Sequence, residues 1–372
     1  MSAAPLLPAP APGLRACVVV PARDEERRIG ACLAGLAAQT GVDVAWEVII
    51  VLDGCRDGTA AQVALAAAAH ELELHTIEGP GAGAGAARGL GMGLACERLH
   101  EAGAPDGLIA TTDADTHVAP DWLAAQLRLA AAGAQAIGGM VELDAGDAGE
   151  LHPAAVQARA ARGRERLLVV QGAEPGAEHH HFAGASLAVT ARIHRAVGGL
   201  EPSAALEDEG FARRLHAHGV PIVRSRAVRV RTSARRNGRA QRGLAADLAG
   251  ADWRARRRYD ARDFSPGSLR LAKGDRRVAV IVPARDVAMT IAGVLTGTVG
   301  PARAADLVDE IIVVDAASAD GTARVARGAG ARVLQQDELL PEFGPALGKG
   351  DAMWRAMSAT DADIVCFLDA DT

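Results

Sequence analysis

Val20-Pro21-Ala22-Arg23-Asp24-Glu25-Glu26 ends the first strongly apolar run of the chain, and Val282-Pro283-Ala284-Arg285-Asp286 repeats it in the C-terminal part. Asp53 closes the next apolar run and Asp113-Ala114-Asp115 a third; they return, in the same order, as Asp315 and Asp369-Ala370-Asp371. The step from Pro21 to Pro283 equals the step from Asp53 to Asp315, so spacing recurs with order. One fold used twice accounts for both. The second copy reaches its carboxylate pair at Asp371, directly before Thr372, while the first continues far past Asp115. The second is therefore expected to be a truncated copy holding only the first half of the fold, with a function unlike that of the first.

Around these anchors, strand-like runs at 16–20, 48–52 and 108–111 alternate with Ala/Leu-rich helical segments at 25–38, 59–70 and 88–102. That alternation predicts an α/β fold with a largely parallel sheet wrapped by helices. In open sheets of this class ligands gather at the carboxyl ends of the strands, where Arg23, Asp53 and Asp113 fall. Further on, the pattern predicts helices at 120–132 and 154–169, a strand at 138–143, and a helix at 210–218. Residues 1–14, rich in Ala and Pro, read as a disordered tail, 15–253 as a complete domain, 254–275 as a linker around Ser265-Pro266-Gly267, and 276–372 as the second copy.

Composition narrows the function classes. With 49% apolar residues the 372-residue chain can bury sizeable cores. A net charge of -6 and only 3% aromatic residues argue against a nucleic-acid binder. Five scattered cysteines, none in a C-x-x-C pair, read as reduced thiols of a cytoplasmic protein. No run is long and apolar enough to span a bilayer, which leaves peripheral contact as the expected form of any membrane association.

Two carboxylates at i and i+2 on an extended segment project to one side and can reach one hard cation or its waters. Such an ion can bridge a diphosphate and offset charge on a phosphate leaving group. Asp361-Ala362-Asp363 has the same spacing but precedes a strand, whereas Asp113-Ala114-Asp115 and Asp369-Ala370-Asp371 follow one. Position separates them. The plain alternative for Asp113 and Asp115 is a solvated turn with capping carboxylates. For Asp53, before Gly54-Cys55-Arg56-Asp57-Gly58-Thr59, it is turn or N-cap chemistry. The functional reading of Asp53 is an acceptor for the imide N–H of a pyrimidine base.

Pro21-Ala22-Arg23-Asp24-Glu25-Glu26, Asp53, the run from Asp113 through Trp122, Gly198-Gly199-Leu200 and Glu207-Asp208-Glu209 together resemble glycosyltransferase family 2, with its GT-A fold. The resemblance extends over residues 15–248 and the motifs stand in the family's order. It implies a nucleotide-sugar donor, a hydroxyl acceptor, Mn2+ or Mg2+ at the carboxylate pair, and a late acidic residue as catalytic base. Carried over by position, Pro21, Ala22 and Glu25 would line the nucleoside, Asp53 the base, Asp113 and Asp115 the diphosphate and metal, and Asp208 the acceptor hydroxyl. Glu207 is the reserve for the base. Asp24 stands where the family often has Asn.

Inverting glycosyl transfer needs a group that takes the proton from the attacking hydroxyl. Glu207-Asp208-Glu209, ahead of a helix at 210, also suits simple helix-dipole stabilisation. Phe182-Ala183-Gly184-Ala185-Ser186 resembles the family's acceptor-side strand, and His179-His180-His181 before it reads as an exposed loop more readily than as a metal site. Glycine-dense residues 79–93 follow the wrong strand for a dinucleotide fingerprint. They read as a flexible loop beside the diphosphate, with Arg88 as a phosphate contact, or as an ordinary helix-start loop. Arginines crowd 224–242 and 254–262, either as a solvated face or as an anion site for a diphosphate, a phosphorylated acceptor or an anionic lipid surface. Thr232-Ser233-Ala234-Arg235-Arg236, directly after a strand, is the part best placed to reach the site.

In the second copy, Asp315 with Ser318 and Asp320-Gly321-Thr322, Gly348-Lys349-Gly350 followed by Trp354-Arg355, and Phe367-Leu368-Asp369-Ala370-Asp371 resemble glucosyl-3-phosphoglycerate synthases. That resemblance implies donor contacts from Ser318 and Lys349, with Pro283, Ala284 and Asp315 in the places of Pro21, Ala22 and Asp53, a metal at Asp369 and Asp371, and a retaining outcome. Val287-Ala288 departs from the acidic pair usual there. Two other classes stay open: a sugar-phosphate nucleotidylyltransferase, disfavoured by the glycine-free loop at 21–26, and a non-catalytic nucleotide-sugar-binding protein, disfavoured by the full acceptor half and Asp208.

Overall fold

The computed structural model describes residues 7–201, 207–238 and 243–371. The chain forms two compact units, Met1–Arg258 and Tyr259–Thr372. The first holds eight strands: β1 Leu14–Ala22, β2 Ala45–Leu52, β3 Leu74–Glu78, β4 Leu108–Thr111, β5 Thr116–Val118, β6 Ala136–Leu143, β7 Leu187–Thr190 and β8 Ile222–Thr232. They form one sheet in the order β3-β2-β1-β4-β7-β6-β8-β5. The β3-β2-β1-β4 half is parallel, as the βα alternation predicts. From β7 onward the sheet is mixed: β4 and β6 pair antiparallel with β7, β5 antiparallel with β8, and β6 parallel with β8. This is the α/β mixed sheet expected of a GT-A domain.

Both faces of the sheet are covered, so alternate residues of β1 enter different cores. Ala16, Val18, Val20 and Ala22 pack with Ile29, Leu33, Leu36 and Trp122; Leu14, Cys17 and Val19 pack with Met92, Ala95 and Leu99. Strands buried on two sides read as continuous apolar runs, which is why 48–52 carries no alternation. The helix Ala84–Glu101 lies close on the sheet because position 91 is glycine: a Cβ there would meet the side chains of Val19 and Val51. That approach sets Arg88, one turn earlier, over the strand ends.

The second unit is a four-stranded parallel sheet in the order β11-β10-β9-β12, from β9 Val278–Ala284, β10 Glu310–Asp315, β11 Arg332–Gln335 and β12 Ile364–Phe367. The repeat extends to hydrogen bonds. Asp24 and Asp286 both have positive φ, 49° and 51°. Their carboxylates accept from the amides of Arg56 and Ala319 at 2.7 and 3.0 Å. The next residues, Glu25 and Val287, donate their N–H groups to Thr59 and Thr322 hydroxyls at 2.7 and 2.9 Å.

Several expectations are corrected. Of the tail, residues 1–6 lie outside the described residues, but Leu7 packs against the core and Pro8 accepts a bond from Arg98 at 2.7 Å, so the part described is held down. Residues 84–93 are helix, not loop, since four glycines are offset there by alanines and by packing on the sheet. The three acids 207–209 form the first turn of the helix Glu207–Ala217 instead of preceding it. Much of 254–275 is helical: Leu244–Arg256 runs into it, and Ser265 caps Pro266–Lys273 by accepting the Ser268 N–H at 3.1 Å. Ser-Pro-Gly there is a helix start, with Pro at the first turn.

Candidate functional site

Three strand ends of the first unit converge. Pro21 and Ala22 are buried at the end of β1. Asp53 follows β2, and its N–H donates to Ala22 O at 2.8 Å. Its carboxylate accepts the amides of Gly81 and Gly83 at 2.7 and 2.8 Å, with Arg23 at 3.7 Å. A Cβ at Gly79 would stand 2.9 Å from Asp53 Oδ1, so glycine is required where the loop crosses the acid. Residues 79–83 are thus a short loop tied to Asp53.

Asp113 and Asp115 follow β4 and are each held by an arginine. Arg88 donates to Asp113, and Arg235 stands 3.0 Å from Asp115. The Arg235 guanidinium also donates to both oxygens of buried Glu25, at 3.0 and 2.6 Å. Burial first, and then the neighbouring Asp113, push Asp115 up to about 6. Two half-buried like charges side by side are costly unless cations join them, and here Arg88 and Arg235 do so.

Arg88 connects this carboxylate pair to the first turn of the helix Glu207–Ala217. It is 2% exposed, donates through Nε to Thr111 Oγ1 at 3.1 Å, and its two terminal nitrogens divide between Asp113 and Glu207. Thr111 donates on to Gly184 O at 2.6 Å, and Gly184 N–H donates to Asp208 Oδ2 at 3.3 Å. A Cβ at Gly184 would overlap the Arg88 guanidinium. Burial raises both Glu207 and Asp208 above the usual carboxylate range, with Arg88 opposing it. Arg88, read from sequence as a phosphate contact, is instead enclosed among carboxylates.

Phe182–Ser186 is not a strand: Ser186 N–H bonds back to Ala183 O at 2.8 Å, and β7 begins at Leu187. The turn is what aims Gly184 at Arg88 and Asp208. Nor is the histidine triplet an exposed loop. His179 is buried and the other two half-buried, because the segment packs under β6, where the Val141 N–H donates to His181 Nδ1 at 3.3 Å. Among the arginines, Arg235 reaches the site; residues 239–242 lie outside the described residues. The sequence placed 232–236 near the site but gave no partner for Arg235, since nothing local links it to Glu25.

In the second unit Lys349 pairs with Asp369, one of the carboxylates at the end of β12. Asp315 Oδ2 accepts from the Ser318 amide at 3.3 Å and from Gln335 Nε2 at 3.0 Å, while buried Oδ1 has no partner. Ser318 Oγ accepts the Asp286 N–H at 2.8 Å, Ala284 is buried and Pro283 half-buried. Asp361 and Asp363 bind Arg277 at the opposite end of β12, away from Asp369 and Asp371.

Among the described residues no three His, Cys, Asp or Glu side chains form a group able to hold a metal. A pair of carboxylates nevertheless suits Mg2+ or Mn2+, which commonly take one or two protein carboxylates and complete their shell with phosphates and water. No described helix is long and apolar enough to cross a membrane.

Residues 12–259 match the model of the glycosyltransferase-like family 2. The chain belongs to glycosyltransferase family 2. A second match, to glycosyl transferase family 2, spans residues 279–372 of this family 2 chain. It is 39% identical over 129 residues to a glucosyl-3-phosphoglycerate synthase of Mycolicibacterium paratuberculosis, covering 35% of the chain and 39% of that protein. It is 42% identical over 105 residues to the Mycobacterium tuberculosis synthase, covering 28% and 32%. The chain therefore spans a third to two fifths of the length of these relatives. Among solved structures, mannosyl-3-phosphoglycerate synthase from Rubrobacter xylanophilus is 44% identical over 33% of this chain and 40% of that one, with a TM-score of 0.32.

Proposed function

We propose that the first unit is a metal-dependent glycosyltransferase that moves a sugar from a nucleotide-diphosphate sugar to a hydroxyl acceptor with inversion, and that residues 15–253 form its complete domain. The observation that carries this reading is the shared guanidinium of Arg88, which fixes Asp113 of the donor side and Glu207 of the acceptor side about one centre. Asp208, one residue on, is fixed by two backbone donors, the Gly184 N–H on Oδ2 at 3.3 Å and the Glu209 N–H on Oδ1 at 2.9 Å, and is the carboxylate an incoming hydroxyl would meet.

In this reading Asp208 accepts the proton of the acceptor hydroxyl as it attacks the anomeric carbon. Burial, with Arg88 opposing it, raises its pKa and so makes it a better base than an exposed carboxylate. Asp113 and Asp115 would hold Mn2+ or Mg2+, which when bound offsets charge on the departing diphosphate. Arg88 keeps Asp113 oriented. Glu25, Asp53 and the amides at Gly81 and Gly83 flank the nucleoside side, and a base that pairs with Asp53 takes the place of one of those amides.

For residues 276–372 we propose a second donor-binding half-site with Asp315, Ser318 and Lys349 on the donor and Asp369 and Asp371 on metal. Support comes from the unpartnered Oδ1 of Asp315 and from the named relatives, which are glucosyl-3-phosphoglycerate synthases. The five free cysteines support a reducing, cytoplasmic setting.

The test is donor binding and hydrolysis across a panel of nucleotide sugars, with and without Mn2+ or Mg2+, for the wild type and Asp115→Ala. Metal-dependent turnover of one donor, lost in the variant, is expected. Binding of a nucleoside triphosphate and of no nucleotide sugar would replace this reading by a nucleotidylyltransferase.

A further inference from the structure

The helix Pro153–Ala173 carries Arg159, Arg162 and Arg166 on one face, at the i, i+3 and i+7 positions that lie together on a helix. Among the described residues none of the three has an ion pair or a hydrogen bond. Between Arg159 and Arg166 the helix has Gly163, and the ring of His180 rests there: a Cβ at 163 would stand 3.2 Å from His180 Cε1. Asp247, on the packed helix Leu244–Arg256, is the carboxylate that pulls on Arg159, and Glu165 is exposed on the helix itself. Glu174, which could have balanced the cluster, is committed to Arg224 and His216 at 2.6 and 2.7 Å.

Arg159 is only half exposed, and an unpaired, partly desolvated guanidinium is costly unless an anion joins it. Burial first, and then the nearby Arg166, hold its pKa below the usual arginine value. The same crowd acts on His180, where burial leads and Arg166 and Arg159 follow. Arg224 fixes the histidine loop by donating to His181 O at 3.0 Å. Three residues beyond His181 is Gly184, whose N–H holds Asp208. Gly184 lies four positions after His180, a span of at most about 14 Å.

We propose that Arg159, Arg162, Arg166 and His180 bind a phosphate group carried by the acceptor, which places its hydroxyl toward Asp208. The inference rests on the glycosyltransferase reading of the first unit and names the class of its acceptor: a phosphorylated hydroxyl compound, free or as a lipid headgroup. Arginine forks match phosphate oxygens, and four cationic or N–H donors on one face outnumber the carboxylates around them.

The experiment uses the full chain and two probes: glycerol 3-phosphate, and phosphatidylcholine vesicles with and without phosphatidic acid. Binding is followed by the imidazole proton resonance of His180, assigned with His180→Gln, and UDP binding is measured alongside. Arg159→Gln/Arg166→Gln removes no contact of the fold. It is expected to weaken phosphate binding about tenfold or more and to leave UDP affinity unchanged. Response to glycerol 3-phosphate assigns a soluble acceptor; response only to phosphatidic acid vesicles assigns a lipid-borne one. Equal phosphate affinity in wild type and double variant, or no response to either probe, overturns the site. Arginine-dependent phosphate binding in a protein that binds neither UDP nor any nucleotide sugar overturns the acceptor assignment and the glycosyltransferase reading together. UDP binding without phosphate binding overturns the acceptor assignment alone.

Discussion

Arg235 stands 3.0 Å from Asp115 while the same guanidinium donates to both oxygens of Glu25. A cation of the protein thus already stands beside Asp115, one of the two carboxylates that would hold a divalent metal. The two compete electrostatically, since charges a few ångström apart at a partly buried site interact by several kcal/mol.

Arg235→Gln should therefore bind Mn2+ more tightly than the wild type when no nucleotide is present, by about tenfold. Removing Arg235 also lifts Asp115 further, so the titration belongs at pH 8, well above the value of about 6 that Asp115 has with Arg235 in place. Calorimetry or the electron paramagnetic resonance of free Mn2+ reads the change. Weaker binding in the variant would mean that Arg235 orients Asp115 for the metal instead of competing with it.

Arg88→Met should cost about 3–5 kcal/mol of stability, the price of leaving buried carboxylates without their partner. Gly184→Ala tests the same contact from the other side, because its Cβ displaces the guanidinium without deleting it. Both variants should lose turnover together with urea resistance. Arg88→Lys keeps the charge but cannot span Thr111, Asp113 and Glu207, so it should recover stability better than activity. If Arg88→Lys recovers activity fully, the fork geometry is not needed.

The residues that recur along the sequence were the legible ones. Strand ends marked by Pro21, Asp53 and Asp113 reappear at Pro283, Asp315 and Asp369, and repetition at constant order separates a site from chance acids. Asp361-Ala362-Asp363 was told apart by its place before β12, and it binds Arg277 there. What stayed hidden was long-range pairing. Arg235 meets Glu25 across 210 positions and Arg88 meets Glu207 across 119, and no local pattern encodes such contacts. The helix at 84–101 was legible from 88 onward, but its first turn was obscured by the glycine-dense run, and the purpose of Gly91, close approach to Val19 and Val51, is visible only in three dimensions.

Asp208→Asn should lower kcat about 10²–10⁴-fold with donor affinity retained, the usual loss of a general base. Burial raises the Asp208 carboxyl, so its ionised form, and with it the rate, is lost as pH falls through a value above that of an exposed aspartate. A kcat/KM profile should show this acid limb in the wild type and in Glu207→Gln, displaced in the latter because a neighbouring negative charge is gone. A profile flat through this range would remove Asp208 from the role of base.

His194 supplies a stability test independent of catalysis. It is buried beside Phe211, its Nε2 has no partner, and burial first, then Arg214, bring its pKa down to about 4 from an ordinary 6.5. The unfolded chain therefore binds a proton that the folded chain refuses between pH 6.5 and 4. Stability rises with pH where the unfolded state holds more protons, so acid removes it in that window. One such histidine amounts to about 2 kcal/mol by pH 5. Urea midpoints of the full chain at pH 7.5 and pH 5, read by a probe in the first unit, should fall in the wild type and fall less in His194→Gln, which cannot take up the proton. An unchanged slope in the variant would show that His194 opens to solvent before the unit unfolds.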